Sequence, residues 1–288
     1  MERELWRILS SQVTAVDRHF PCGGYRHSVG RIVRVYIWAV LNDRPVCWAC
    51  QRSNWRGMRP PNELPDQSRM SRRLRQADTA EFLDRLIERL MVGRQDELVK
   101  LLDGKALLVA RHSQDPDATF GYGAGGLSKG YKLHAIYGYS GRLLVHQVHP
   151  MHVSEPTVAR EMVQHLSGEG YLLADTNYDR NPLYAAANAN GHQLVAPRKK
   201  RHTSLGHRRH SPQRIRSIEM VEGPSIFGRK LFQMRRGIET RFGNLSSFGG
   251  GLTCLPPWVR RLHRVRLYVN AKLLIRAAKN AIIRTTAA

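Results

Sequence analysis

Near residue 100 the spacing of apolar residues changes period, and this change constrains the fold more than any other feature of the chain. Upstream the spacing is helical. Val29 to Leu41 is apolar enough for a buried helix, and Asp78 to Val92 sets Phe82, Leu83, Leu86, Ile87, Leu90 and Met91 on one face. Glu4 to Val16 suits a further short helix. Downstream the apolar runs are short and strand-like. Leu101 to Ala110 carries an acid, Asp103, near its start. Tyr131 to Tyr137 alternates, with Tyr131, Leu133, Ala135 and Tyr137 on one face and Lys132, His134 and Ile136 on the other. Leu143 to Val148, Gly170 to Asp175 and His192 to Ala196 are further strand candidates, and the second of these ends on an acid. Ser154 can cap a helix running to Leu166 with Pro156 in its first turn, and Pro182 to Asn190 is a second helix. The glycine-rich stretch Gly121 to Gly130 is expected to be a turn or loop. Three strands, a helix, a strand, a helix and a strand describe a mixed α/β sheet with helices on its faces.

Three regions follow: a helical DNA-binding or dimerisation region at 1–98, the α/β domain at 99–250 with a short basic excursion at 198–230, and a helical basic tail at 251–288. Charge supports nucleic acid as the partner. With 46 Lys and Arg against 23 Asp and Glu, the formal net charge is +23, and such a surface attracts polyanions. No apolar run approaches the ~18 residues of a membrane span. The charged start, Met1 to Arg7, lacks a signal-peptide stretch. A cytoplasmic protein with no membrane partner is expected.

Two basic stretches stand out. After the loop Pro60 to Pro65, Asp66 or Ser68 can cap a helix that exposes Arg69, Arg72, Arg73 and Arg75. Such a helix suits DNA phosphates or a groove, and equally a solvated face. Arg198, Lys199, Lys200 and Arg201 open a segment to residue 217 that contains no acid. It is either a solvated linker or a phosphate contact that raises affinity without reading sequence. Of four cysteines, Cys47 and Cys50 form a C-x-x-C pair. A second pair is missing, with only Cys22 and His27 to stand in for it, so small apolar residues on a helix face are set against structural zinc.

Acids are scarce, so their placement matters. Asp103 lies near the start of the first strand, Asp175 at the end of a later one, and Glu239 on a helix beyond the sheet. Neighbouring strands would bring the two aspartates to one edge. Three carboxylates together repel one another unless a cation holds them. Asp179, four residues after Asp175, is the rival for the second position, and Glu239 can also pair with Arg235 or Arg236 along its helix.

Asp103-Gly104-Lys105, Leu173 to Asp179 and Arg235 to Phe242 resemble the three acidic motifs of bacterial insertion-sequence transposases with a DDE catalytic domain. The glycine-rich turn into Lys129 to His134 is similar to that group as well. The resemblance covers roughly residues 99 to 250, with a looser match at Leu64 to Leu74. It implies a ribonuclease-H-like α/β fold preceded by an α-helical N-terminal domain. It also implies a metal site of Asp103, Asp175 and Glu239 holding two Mg²⁺ or Mn²⁺ ions, and in-line cleavage and strand transfer at the element's ends. The partners are the terminal inverted repeats and target DNA, handled by a homodimer in a nucleoid-associated bacterial protein. The signature Tyr, Arg, Glu, Lys of one transposase group reads here as Phe232, Arg235, Glu239 and Ser246. Phe232 keeps the aromatic face and loses the hydroxyl, and Ser246 loses a phosphate contact. The family places Arg235 beside the transferred strand, with Phe232 and Arg236 among the DNA contacts. A catalytically inactive DNA-binding derivative and a nuclease that only hydrolyses are the competing readings.

Overall fold

The computed structural model describes residues 2–21, 23–55, 57–91, 97–123, 125–199, 204–205, 209–247, 252 and 254–287. Helices α1 (Glu2–Asp17), α2 (Val29–Leu41), α3 (Val46–Ala49), α4 (Gln67–Arg73) and α5 (Ala77–Met91) precede strands β1 (Val99–Leu108), β2 (Thr119–Gly123), β3 (Gly126–Gly138) and β4 (Leu143–Pro150). Then follow α6 (Glu155–Met162), β5 (Gly170–Leu173), α7 (Asn181–Ala189), β6 (His192–Val195), α8 (Pro212–Glu222), α9 (Ile226–Gln233), α10 (Gly237–Ser247) and α11 (Leu262–Ala287). Contacts divide the chain into two units, residues 1–91 with 245–288 and residues 92–244. No helix among the described residues is long and apolar enough to cross a membrane.

The first unit is helical. The Ser28 side chain accepts from Arg31 N–H and starts α2, whose Ile32, Val33, Val35 and Ile37 are buried. Trp38 stands edge-on to Trp6 with ring centroids 5.0 Å apart and stacks on Trp55 at 5.1 Å. Helix α11 buries Val265, Tyr268, Val269 and Leu274 in this same unit. Lys272 Nζ and the Tyr268 hydroxyl both reach Asp43 Oδ1, at 2.6 and 3.1 Å, and tie α11 to the turn after α2. Cys47 lies on α3 and Cys50 at its end, where the Cys50 thiol donates to Val46 O at 3.3 Å. Burial pushes that thiol's pKa up to about 11. Cys22 lies outside the described residues.

Asp66, not Ser68, caps α4: its Oδ1 accepts from Arg69 N–H at 2.8 Å, and the Ser68 hydroxyl donates to the same oxygen. The expected row of exposed arginines needs one correction. Arg73 is buried, because its Nη2 donates to Asp78 Oδ2 at 3.1 Å and its guanidinium lies 3.8 Å over the Tyr25 ring.

The second unit is a six-stranded mixed sheet in the order β2-β3-β1-β5-β6, with β4 also paired to β3. β3 runs antiparallel to β1, β2 and β4, and β5 runs parallel to both β1 and β6. Helices α6 and α7 cover one face, packing Val158, Met162, Leu183 and Tyr184 on Leu102, Ile136, Leu172 and Leu194. This is a ribonuclease-H-like sheet with flanking helices.

The glycine-rich stretch is mostly strand, in β2 up to Gly123 and β3 from Gly126, with the expected turn at Gly125. β2 and the start of β3 pair from Thr119–Gly130 to Gly123–Gly126. The glycines serve close packing there: a Cβ on Gly121 would stand 2.5 Å from Met151 O, and one on Gly130 2.2 Å from Leu107 O. The described part of the basic excursion carries two helices, α8 and the start of α9. Ser211 caps α8 by accepting from Arg214 N–H, with Pro212 in the first turn, and Ser225 caps α9 in the same way. Both signals are local and stand in the sequence.

Candidate active site

Strand register brings the two aspartates to one face. Parallel β1 and β5 pair Val99 with Tyr171 and Leu101 with Leu173. Asp103 lies two residues beyond Leu101 and Asp175 two beyond Leu173. Strand alternation therefore turns both to the same side, where β5 ends alongside β1. Asp175 keeps an extended backbone (φ −85°, ψ −177°), and its side chain accepts from Asn177 N–H at 2.8 Å, opening a short 3₁₀ turn. Asp103 Oδ1 accepts from its neighbour's N–H, Gly104, at 2.7 Å. The Asp103 carboxyl is raised to about 7, chiefly by burial. The charges of Asp175 and Glu155 add to the rise, while the Gly104 N–H and Arg235 oppose it.

The same face carries the third acidic motif. Leu101 and Tyr137 are register partners on it. A Cβ on Gly237 would stand 3.3 Å from Leu101 Cδ1, and the Phe242 ring meets Tyr137 edge-on at 6.1 Å. These contacts dock α10 there. Arg235, in the 3₁₀ turn before it, places Nη2 3.3 Å from Asp103 Oδ2 and Nη1 3.7 Å from Glu239 Oε1. The Glu239 side chain is 69% exposed. Asp103 and Asp175 are thus neighbours, whereas Glu239 reaches Asp103 through Arg235. Among the described residues no group of three or more His, Cys, Asp or Glu stands close enough to hold a metal ion, which applies both to this trio and to the C-x-x-C pair.

Three further polar residues, Lys132, Glu155 and Tyr178, lie near the aspartates. On the opposite face Lys132 Nζ bonds Glu155 Oε1 at 2.5 Å, with both side chains largely buried. Gly104 leaves room for this pair, since a Cβ there would lie 3.1 Å from Lys132 Cδ and 3.3 Å from Glu155 Oε1. Tyr178 is fully buried and its hydroxyl has no hydrogen-bond partner among the described residues. Burial, then the charges of Glu155, Asp103 and Asp175, push its pKa well above the usual phenol value. The available signal for Lys132 was a charge at an alternating strand position whose neighbours are apolar.

Asp179 has a different task. Arg214 Nε and Nη2 grip its two oxygens at 2.6 and 2.7 Å, and Lys199 N–H adds a bond at 3.2 Å. Burial alone would raise its pKa; these donors outweigh that and hold it below the usual range. This carboxylate anchors α8 to the end of the sheet.

The remaining expected DNA contacts are scattered. Arg72 and Arg236 are exposed, and Phe232 is half-buried on α9. Arg198 is tied to Glu222, with Nε 2.9 Å from both carboxylate oxygens, while the Lys199 side chain is exposed. Lys200, Arg201 and the Ser246 side chain lie outside the described residues. His134, on the face of β3 opposite Tyr131, is buried with neither ring nitrogen bonded to any described group.

Oxygen donors on one face suit a hard divalent cation. Asp103 and Asp175 set two carboxyl groups near the buried Tyr178 hydroxyl, which, like Arg235 Nε, has no partner among the described residues. A positive group already stands there in the form of Arg235, so the residues present fit such an ion.

Residues 94–269 match the family model described as the transposase DDE domain. No curated protein and no solved structure matches the chain.

Proposed function

Since the chain belongs to the family of transposase DDE domains, and so binds DNA and works with divalent metal ions, we propose that it cleaves DNA at the ends of an insertion sequence and joins the freed 3′-hydroxyls to target DNA. One observation carries this reading: Asp103 and Asp175 follow the same register pair, Leu101 with Leu173, by two residues each on adjacent parallel strands.

In this reading Asp103, Asp175 and Glu239 hold two divalent cations, Mg²⁺ or Mn²⁺. Such ions, when bound, activate a water or 3′-hydroxyl and stabilise the leaving oxygen. Asp103 and Asp175 are held by adjacent strands and supply a rigid pair of oxygen donors. Glu239 is exposed on the first turn of α10, and in this reading a rotation of its side chain would complete the set. Arg235, freed from Asp103, offers a planar fork to a non-bridging phosphate oxygen. Lys132 neutralises Glu155, which keeps that acid from acting as a spare ligand. Two DNA ends must be handled together, so the working form is a homodimer at the nucleoid. Residues 1–98 and the basic segment from Arg198 supply DNA and dimer contacts.

The test is nicking of supercoiled plasmid in Mg²⁺ or Mn²⁺. Asp103→Asn, Asp175→Asn and Glu239→Gln should each abolish it; unchanged nicking in all three would overturn the assignment. Pre-cut ends then separate joining from hydrolysis alone. A DNA-binding role without catalysis is the second reading, favoured by the link of Glu239 to Asp103 only through Arg235. It predicts metal-independent, salt-sensitive binding and no nicking in the wild type.

A further inference from the structure

Within the helical unit, the segment before α2 and the helix α4 enclose a cavity of about 250 Å³. Tyr25, Arg26, His27, Arg69, Arg72 and Arg73 line it, with Gln76 at its side, and no lining residue is acidic.

The nearby acids act from outside. Glu63 pairs with Arg26 and with Arg31, Asp66 with Arg69, and Asp78 with Arg73 Nη2. Arg72 is exposed, and no ion pair with an acid forms on it among the described residues.

Two lining side chains are more than nine-tenths buried and have donors left over. Arg73 is 7% exposed, and its Nε and Nη1 have no partner among the described residues. His27 is 4% exposed, and its Nε2 has none among them either. His27 Nδ1 lies 3.2 Å from Arg31 Nη1. An arginine only donates, so Nδ1 accepts and the imidazole proton sits on Nε2. Buried donors without acceptors are costly, and they are rarely retained without a ligand or water to take them. The Tyr25 ring under Arg73 is itself held by Gln76 Nε2, which donates to its hydroxyl at 3.2 Å. Gln76 Oε1 is an unpartnered side-chain acceptor among the described residues, so the anion-complementary side is that of His27 and Arg73.

We propose that this cavity is a phosphate site that grips one backbone phosphodiester of bound DNA, through Arg69, Arg72, Arg73 and the Nε2–H of His27. The chemistry matches: several N–H donors of fixed direction, net positive lining, and room for a tetrahedral oxyanion. The proposal rests on the chain binding DNA and not on the carboxylate trio.

The test uses the full chain and a short fluorescent duplex of arbitrary sequence, with affinity followed by anisotropy over a range of KCl concentrations. The probes are Arg72→Gln and the double change Arg69→Gln with Arg72→Gln, both at partly or fully exposed positions; thermal melting confirms the fold. Loss of this one phosphate contact should flatten the slope of log K against log salt by about one in the double variant and by less in Arg72→Gln, with the same weakening on every duplex sequence. A second arm measures melting with inorganic phosphate at fixed ionic strength. An unchanged slope in both variants overturns the proposal, and phosphate-dependent stabilisation alongside that unchanged slope assigns the cavity to free phosphate instead. Wild-type protein that fails to bind DNA removes the premise and this proposal together. Variants that bind with the wild-type slope while the wild type still nicks remove this proposal alone.

Discussion

Arg235 bridges Asp103 and Glu239: its Nη2 lies 3.3 Å from one carboxylate and its Nη1 3.7 Å from the other. A side-chain cation thus stands between two members of the proposed trio. Arg235→Gln removes that charge and leaves Asp103 beside Asp175 without compensation. The variant should lose more melting temperature in EDTA than in Mg²⁺, and nicking should fall about ten- to a hundredfold. That range follows from the ~1.5–3 kcal/mol of a charge-assisted hydrogen bond. Equal melting losses with and without Mg²⁺ would contradict the arrangement.

Asp175 and Asp179 should separate cleanly by mutation. Asp179→Ala strands Arg214 in a largely buried pair and should cost about 3–5 kcal/mol in denaturant unfolding. Asp175→Asn keeps a side chain able to cap the following turn and relieves repulsion with Asp103. Its stability should change by no more than about 0.5 kcal/mol while nicking disappears. A severe stability loss in Asp175→Asn would give that residue a structural role.

Close packing of β3 on β1 needs glycine at position 130. A Cβ there would lie 2.2 Å from Leu107 O, whereas one at Gly125 would meet nothing within 4 Å. Gly130→Ala should destabilise by about 1–3 kcal/mol, and Gly125→Ala should be close to neutral. Chemical denaturation of the two variants side by side checks this.

His134 makes stability depend on pH. Its pKa is lowered from 6.5 to about 3, by burial first and then by the charges of His149 and Lys132. Above pH 6.5 the residue is neutral in folded and unfolded chains and contributes no slope. Between pH 6.5 and 3 only the unfolded chain takes the proton, so stability falls with falling pH by up to about 1.4 kcal/mol per unit. His134→Leu should flatten the curve in that window, and matching slopes for variant and wild type would refute it.

Much of the architecture could be read along the chain because it is encoded locally. The bounds of α2, the alternation from Tyr131 to Tyr137 and the apolar run ending at Asp175 all follow from periodicity within a few residues, and the order of strands and helices follows from them. The acids Asp103, Asp175 and Glu239 could be singled out because carboxylates are rare in so basic a chain. The glycines from 121 to 130 misled because glycine serves a tight turn and a crowded strand equally well. Only the neighbours Leu107 and Met151 decide between the two. Tertiary structure alone settled which carboxylates stand together. Asp179 is claimed by Arg214 from 35 residues away, Arg235 reaches Asp103 across 132 residues, and Arg73 turns inward onto Tyr25. A residue's own sequence neighbourhood fixes its local backbone. The partner that satisfies its charge is chosen by strand register and helix docking, and those depend on contacts far apart along the chain.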